Sequence, residues 1–104
     1  MTDGGGMSLH VVHLTLRGRV QGVGYRAWCA REAGARGLLG WVRNRRSGAV
    51  EAVLAGSPDV VAAMVEACRS GPLGARVDDL LLHEAAETAL AAGGRDRFVV
   101  LETV

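Results

Sequence analysis

Apolar side chains recur at every second position near the start of the chain. Within residues 10–17, Val12, Leu14 and Leu16 fall on one side, and polar residues fill the positions between them. A period of two is typical of a strand with one buried face, because successive side chains of a strand point to opposite sides. We therefore predict a first strand over residues 10–17 whose apolar side faces the core.

The clearest helix signals lie in the second half of the chain. Ser57 is placed as an N-cap, Pro58 follows at the first helical position, and Asp59 adds a negative charge where the helix dipole favours it. Gly71 and the proline after it end the pattern. The apolar positions between these signals repeat at helical spacing, and they are Val60, Val61, Met64, Val65 and Cys68. We predict a helix with this stripe in the core.

Similar signals define the other elements. They are a helix over 25–36 stopped by Gly37, strands over 39–44 and 50–54 joined by a turn containing Gly48, a strand around Leu80 and Leu82, and a last strand around Phe98 and Val100. Val77 is out of phase with Leu80 and Leu82, which indicates a bulge or bend. Residues 84–96 show no periodicity and are predicted to be irregular.

The element order is β-α-β-β-α-β followed by a last strand, which predicts an α+β, ferredoxin-like split βαβ sandwich. Two helices would cover one face of a mainly antiparallel sheet, and the other face would be exposed or only partly covered. The length of 104 residues suits a single domain. We assign that domain to residues 9–104 and expect residues 1–8 to form a flexible tail.

Composition excludes several classes of function. The formal net charge is only +1, which is unlike a strongly basic nucleic-acid binder. All 12 basic residues are arginines, so Schiff-base chemistry and a P-loop lysine are excluded. Apolar runs are too short to span a bilayer and no signal peptide is recognisable, so we expect a cytoplasmic protein that does not bind membranes.

Neither the cysteines nor the histidines have the spacing of a metal site. Cys29 and Cys68 each fall in a predicted helix, where we expect them to be small buried apolar side chains. The three histidines lie in strands without ligand spacing. We therefore expect no metal and no cofactor.

The most informative segment is the glycine-rich loop of residues 18–24, between the first strand and the first helix. Glycines permit positive φ, so successive N–H groups can converge on one anion, and the helix N-terminus that follows adds further N–H groups. Arg26 in the first helical turn could bind the same anion through its two-pronged guanidinium. The pattern favours a phosphate cradle, and a tight turn beside a surface arginine is the structural alternative.

A dinucleotide-binding loop is a further interpretation of these glycines. Residues 22–27 match G-x-G-x-x-A, but that fingerprint needs an acidic residue about 20 positions later to bind a ribose hydroxyl. Arg43, Asn44, Arg45 and Arg46 stand there instead. A hairpin follows rather than a second crossover helix, so we do not favour this reading.

Two segments resemble the signatures of the acylphosphatase family. Gly18-Arg-Val-Gln-Gly-Val-Gly-Tyr-Arg26 looks like the first signature, and Gly40-Trp-Val-Arg-Asn44, followed by Gly48-Ala-Val50, looks like the second. The likeness covers about residues 9–103 and implies the ferredoxin-like fold already predicted. Tyr25 departs from the usual Phe or Met of the family, and Arg36 stands where an apolar residue is usual.

The resemblance implies a hydrolase that cleaves small acyl phosphates to a carboxylate and inorganic phosphate. Arg26 and Asn44 correspond to the catalytic residues, with Asn44 orienting the attacking water. From its position alone, Asn44 would be read as a turn residue that opens the hairpin, and the resemblance reverses that preference. The backbone N–H groups expected to bind the phosphoryl oxygens belong to Arg19, Val20, Gln21, Gly22, Val23, Gly24 and Tyr25. Inorganic phosphate would be the product and a competitive inhibitor, and we expect a monomer.

Two other classes of function share parts of this pattern. A non-catalytic phosphate-binding module would need Arg26 and the loop but not Asn44. An RNA-recognition module has the same element order, but it needs exposed aromatic side chains on its central strands. Residues 49–54 contain none. Arg43, Arg45 and Arg46 predict a basic patch on the hairpin, either simply solvated or attracting anionic substrates.

Overall fold

The first strand lies inside the sheet, between two strands that come later in the chain. The computed structural model describes residues 9–104. Its elements are β1 (His10–Arg19), α1 (Tyr25–Ala35), β2 (Leu39–Asn44), β3 (Val50–Gly56), α2 (Pro58–Ser70), β4 (Arg76–Glu84), a 3-10 helix (Glu87–Ala92) and β5 (Phe98–Val100). The sheet order is β4-β1-β3-β2-β5, and only the β2–β5 pair is parallel. This confirms the predicted ferredoxin-like arrangement; the expected tail, residues 1–8, lies outside the described residues.

The main core lies between the sheet and the two helices. Val12, Leu14 and Leu16 are at most 1% exposed, as the alternation in β1 predicts. They pack in one cluster with side chains of α2, including Met64 and Cys68. Cys29 of α1 is buried in the same cluster, so both cysteines occupy the apolar positions expected of them.

A smaller core covers half of the opposite face of the sheet. Val11, Trp41 and Val53 pack there against Leu90 of the 3-10 helix. The Trp41 indole N–H donates a 2.8 Å hydrogen bond to the Ala89 carbonyl, which ties that helix to β2. The opposite face is therefore partly covered, within the range predicted. The prediction that residues 84–96 are irregular was wrong in part. The centre of this segment is a 3-10 helix, and its first residue, Glu84, is the last residue of β4.

The first strand is longer than its alternation predicts. β1 continues through Gly18 and Arg19, which pair with Val77 and Arg76 of β4. The register slips between Arg17 and Gly18, so Asp78 has no partner opposite it and forms the predicted bulge. Gly18 has φ +128°, and a Cβ there would collide with the Arg76 carbonyl. The phosphate-loop candidate therefore begins at Val20, not Gly18.

Other boundaries shift by one or two residues. α1 ends at Ala35 with Arg36 as its C-cap, and β3 runs on to Gly56. Ser57 is the N-cap of α2 as predicted, but its hydroxyl makes no capping hydrogen bond. Within residues 9–104, no helix is both long enough and apolar enough to cross a membrane.

Candidate functional site

A cleft of about 340 Å³ opens where the glycine-rich loop enters α1. The end of β2 and the edge of β5 form its other walls. Its lining residues are Val20, Gln21, Gly22, Gly24, Tyr25, Arg26, Ala27, Asn44 and Val100. The fold thus brings Arg26 and Asn44, from the two sequence motifs, to one cavity. Arg19 and Val23 do not line it; Arg19 ends β1 and is exposed, and Val23 packs against the main core.

Two glycines give the loop its course. Gly22 has φ +76° and Gly24 has φ +80°, both in the left-handed region. A Cβ at either position would touch nothing within 4 Å, so the need for glycine here is conformational and not steric. Gly24 is the N-cap of α1, and its left-handed backbone turns the chain from the loop into the helix.

The N-terminus of α1 offers free N–H groups to the cleft. The first hydrogen bond of the helix runs from the Trp28 N–H to the Gly24 carbonyl at 3.0 Å. The N–H groups of residues 25–27 therefore have no partner within the helix. Together with the partial positive charge of a helix N-terminus, they favour an anion at this end of the cleft.

Tyr25 fixes the start of α1 in the core. Its side chain is 2% exposed, and its hydroxyl donates a 2.6 Å hydrogen bond to the Cys68 carbonyl. Its ring packs edge-on against Trp28 with the centroids 5.3 Å apart. Burial, together with the neighbouring cysteines, raises the pKa of Tyr25 far above its ordinary value, so the hydroxyl stays neutral. The tyrosine that departs from the family pattern thus has a buried partner for its hydroxyl.

Arg26 carries an uncommitted positive charge at the edge of the cleft. It is partly buried, and no Asp or Glu within residues 9–104 forms an ion pair with it. The contrast is with Arg43 and Arg45, which both contact the Glu51 carboxylate. A guanidinium with free donors beside unpaired backbone N–H groups suits a tetrahedral dianion such as a phosphoryl group.

Asn44 is the last residue of β2 and faces the loop across the cleft. Its carboxamide makes no hydrogen bond to another described residue, and the backbone bonds that close the hairpin do not involve it. The Arg45 N–H donates to the Ala49 carbonyl at 2.8 Å, and the Gly48 N–H donates to the Arg45 carbonyl at 3.0 Å. The turn therefore does not use the Asn44 side chain, which weighs against the alternative that Asn44 only opens the hairpin.

One carboxylate offsets part of the charge of the predicted basic patch. Glu51 on β3 accepts a 2.8 Å hydrogen bond from the Arg43 guanidinium, lies 3.3 Å from Arg45 and lies 2.6 Å from His13. The Arg43 guanidinium also lies 4.6 Å from the centroid of the Trp41 ring. Of the three hairpin arginines, Arg46 is the exposed one without a side-chain partner among residues 9–104.

Sequence reasoning missed two lining residues. Ala27 directly follows Arg26 in the first helical turn, so the helix itself could have indicated it. Val100 reaches the cleft because β5 pairs in parallel with β2, opposite Val42. No signal in residues 98–100 indicates that pairing, so Val100 could not have been found from the sequence. The side chain of Gln21 was also overlooked, since only its backbone N–H was considered.

The described residues contain no group of three or more His, Cys, Asp or Glu side chains that could hold a metal ion. Two of the histidines instead contact carboxylates on neighbouring strands. His13 bonds to Glu51, and His10 lies 3.6 Å from Glu84. The absence of a metal requirement remains a prediction for the assay described below.

Comparisons with known proteins identify the family of this chain. The family model described as Acylphosphatase matches residues 12–98. An acylphosphatase of Azorhizobium caulinodans is 61% identical over 84 residues, covering 81% of this chain and 88% of the relative. One from Rhodopseudomonas palustris (strain BisB5) is 54% identical over 101 residues, covering 94% of this chain and all of the relative.

A solved structure of an acylphosphatase has a similar fold. The crystal structure of acylphosphatase from Bacillus subtilis superposes with a TM-score of 0.79 at 34% sequence identity, covering 90% of this chain and 99% of that one. The family match spans the loop, Arg26 and Asn44 together. This chain therefore belongs to the acylphosphatase family of hydrolases.

Proposed function

We propose that the cleft cleaves the bond between the carboxyl oxygen and the phosphorus of small acyl phosphates by direct attack of water. The new bond joins the water oxygen to phosphorus. The bond between phosphorus and the carboxyl oxygen breaks, and its electron pair stays on the carboxyl oxygen. The products are a carboxylate and inorganic phosphate, which keeps both water protons. The observation that carries this proposal is that Arg26 and Asn44, from two separate motifs, line one cleft.

The anion-binding half of the cleft is the loop and α1. The Arg26 guanidinium would hold two phosphoryl oxygens, and backbone N–H groups would hold the others. The proposed donors are those of Val20, Gln21, Gly22, Gly24 and Tyr25, which line the cleft, whereas Arg19 and Val23 do not. Preorganised donors of this kind stabilise the negative charge of the phosphoryl oxygens in the transition state.

Asn44 would position the nucleophile. Its carboxamide oxygen can accept a hydrogen bond from the water while its NH₂ group donates to a phosphoryl oxygen. An aspartate there would place a negative charge beside a dianionic substrate. Little more is required of the protein, because a carboxylate is already a good leaving group and the main requirement is alignment.

Several properties accompany this reaction. We expect it to need no metal, because the described residues offer no cluster of metal ligands. Inorganic phosphate should bind the same cradle and compete with substrate. We also expect a cytoplasmic monomer that binds neither membranes nor nucleic acid. In support of the last point, Trp41, the aromatic side chain on the partly covered face, is 4% exposed.

The experiment that tests the proposal is hydrolysis of acetyl phosphate by the purified protein and by Arg26 variants. Arg26→Ala should remain folded and lose roughly 10²–10³ in kcat/KM, as loss of a charge-stabilising donor does. Arg26→Lys should also fail, because a point charge cannot reproduce the fork. Arg31→Ala is the matched control, since Arg31 is exposed on the same helix and does not line the cleft.

Phosphate binding distinguishes an enzyme from a non-catalytic module. A protein that binds inorganic phosphate through Arg26 but never turns over acetyl phosphate would be such a module. Normal turnover by folded Arg26→Ala would instead show that the reaction occurs at another place.

A further inference from the structure

The side chain of Gln21 connects the two halves of the cleft. Its amide nitrogen donates a 2.7 Å hydrogen bond to the Arg45 carbonyl and a 2.8 Å hydrogen bond to the Ala49 carbonyl. Gln21 belongs to the loop, and the two carbonyls belong to the hairpin that begins directly after Asn44. These bonds join residues that are 24 and 28 positions apart in the chain.

The NH₂ group of the Gln21 amide matches the two carbonyls that it contacts. An NH₂ group carries two donors, and the two carbonyls that it meets flank the turn. Each of these carbonyls also accepts one backbone bond within the turn, from Gly48 and Arg45 respectively. A carbonyl has two lone pairs, so Gln21 fills the remaining acceptor site on both. The oxygen end of the amide could not face two carbonyls.

The loop is held at its two ends without Gln21. Val20 is fully buried, and Tyr25 is buried with its hydroxyl bonded to α2. The anion cradle between them therefore has its own anchors. What the Gln21 bridge adds is the position of the hairpin relative to the cradle, and Asn44 precedes the bridged residue Arg45 by one position.

We propose that Gln21 is a positioning residue that sets the distance between the phosphate cradle and Asn44. This inference rests on the proposed function, because it assigns to Gln21 an effect exerted through the water-orienting carboxamide. A displacement of about 1 Å in such a group can lower the rate by about 10²-fold. The bridge should therefore affect turnover more than it affects binding of the anion.

The test compares kcat for acetyl phosphate with the inhibition constant of inorganic phosphate. Gln21→Met has a side chain of similar length without N–H donors, and we expect it to lower kcat by about tenfold or more. The phosphate inhibition constant should change by less than about threefold, because Arg26 and the N–H groups remain. Gln21→Glu, with an ionised carboxylate facing two carbonyls, should do no better. Gln21→Ala provides a second neutral variant if Met does not fit.

A double-mutant cycle with Asn44→Ala separates positioning from a merely structural role. If Gln21 acts through Asn44, Gln21→Met should lower kcat by less than about twofold when Asn44 is already absent. Val61→Ala is the stability control, because Val61 of α2 is buried in the main core and does not line the cleft. Its kcat should stay at the wild-type value.

The other outcomes overturn the inference in distinguishable ways. Wild-type kcat in folded Gln21→Met and Gln21→Ala, with a large loss in Asn44→Ala, would remove the role of Gln21 and leave the proposed function intact. Fully additive losses in the double variant would also contradict action through Asn44. Wild-type kcat in Asn44→Ala itself would refute both proposals.

Discussion

The Tyr25 hydroxyl donates a 2.6 Å hydrogen bond to the carbonyl oxygen of Cys68, near the end of α2. The Cys68 carbonyl has no partner of the usual intrahelical kind, because the residue four positions later is Pro72, which has no N–H. Tyr25 therefore caps α2 while its own backbone begins α1. A residue adjacent to the proposed catalytic arginine thus joins the two helices through a single hydroxyl.

Tyr25→Phe removes this cap and leaves the ring. A buried carbonyl that loses its partner costs about 1–3 kcal/mol, so we expect the free energy of unfolding in urea to fall by about that amount. We expect kcat for acetyl phosphate to stay within about twofold of the wild-type value, because the hydroxyl bonds to the Cys68 carbonyl and not to the substrate. An unchanged unfolding free energy would contradict the capping role, and a large loss of kcat would indicate a catalytic one.

Asn44→Ala should separate chemistry from anion binding. Without a group to orient water, kcat for acetyl phosphate should lose most of its value. Competitive inhibition by phosphate should change by only a few fold, which is within roughly 1 kcal/mol, because the cradle is intact. Thermal melting must accompany the kinetics, since Asn44 ends β2. A parallel collapse of phosphate binding would show that Asn44 holds the anion rather than the water.

Chelation and added phosphate test the cradle as a metal-free site. Hydrolysis of acetyl phosphate should be the same with and without EDTA. Inorganic phosphate should raise the apparent KM without lowering kcat, because it is a tetrahedral anion that competes for Arg26 and the loop. Loss of activity in EDTA, with recovery on addition of magnesium, would refute this mechanism.

Acid should weaken the fold in part through Glu51. Partial burial alone would raise the pKa of Glu51, but hydrogen bonds from His13 and Arg43 outweigh it and hold the pKa below its ordinary value of 4.5. A carboxyl whose pKa is lowered by folding contributes stability above the unfolded pKa and loses it as the pH falls through the folded pKa. This contribution is therefore complete above about pH 5 and declines below it.

Urea unfolding between about pH 3 and pH 6 tests whether the stabilisation by Glu51 is lost as the pH falls. The difference in unfolding free energy between wild type and Glu51→Gln should be largest at the upper end and shrink toward the lower end. Glu102→Gln is the matched control, because Glu102 is exposed and forms no ion pair with other described residues. A difference that grows as the pH falls would contradict the stabilising role of the ionised carboxylate.

Local patterns predicted the elements whose cause is local. The alternation in β1 and the Pro58 start of α2 depend on neighbouring residues, and the structure confirms both. The 3-10 helix has no such pattern, because its place depends on Leu90 packing under the sheet and on Ala89 accepting from Trp41. Those contacts come from distant parts of the chain, so no window of sequence contains them.

The residues of the candidate site also fall into a group that local sequence predicts and a group that it does not. The glycines, Arg26 and Asn44 were identified from two contiguous motifs, and the fold brings both motifs to one cleft. Val100 and the side-chain bonds of Gln21 escaped prediction. The position of Val100 and the bonds of Gln21 both depend on which strands and turns become neighbours. Tertiary packing determines these neighbours, and residue type does not.

The sheet order has a consequence for a chain emerging from the ribosome. Arg26 and Asn44 both precede β3 along the chain. β1 and β2 do not pair with each other, and β3 lies between them and pairs with both. Translation proceeds from the N-terminus, so both proposed catalytic side chains exist before the strand that joins their supports. A nascent chain halted before β3 would carry both proposed catalytic side chains without the strand that joins their supports, so the proposed site can assemble only after β3 has emerged.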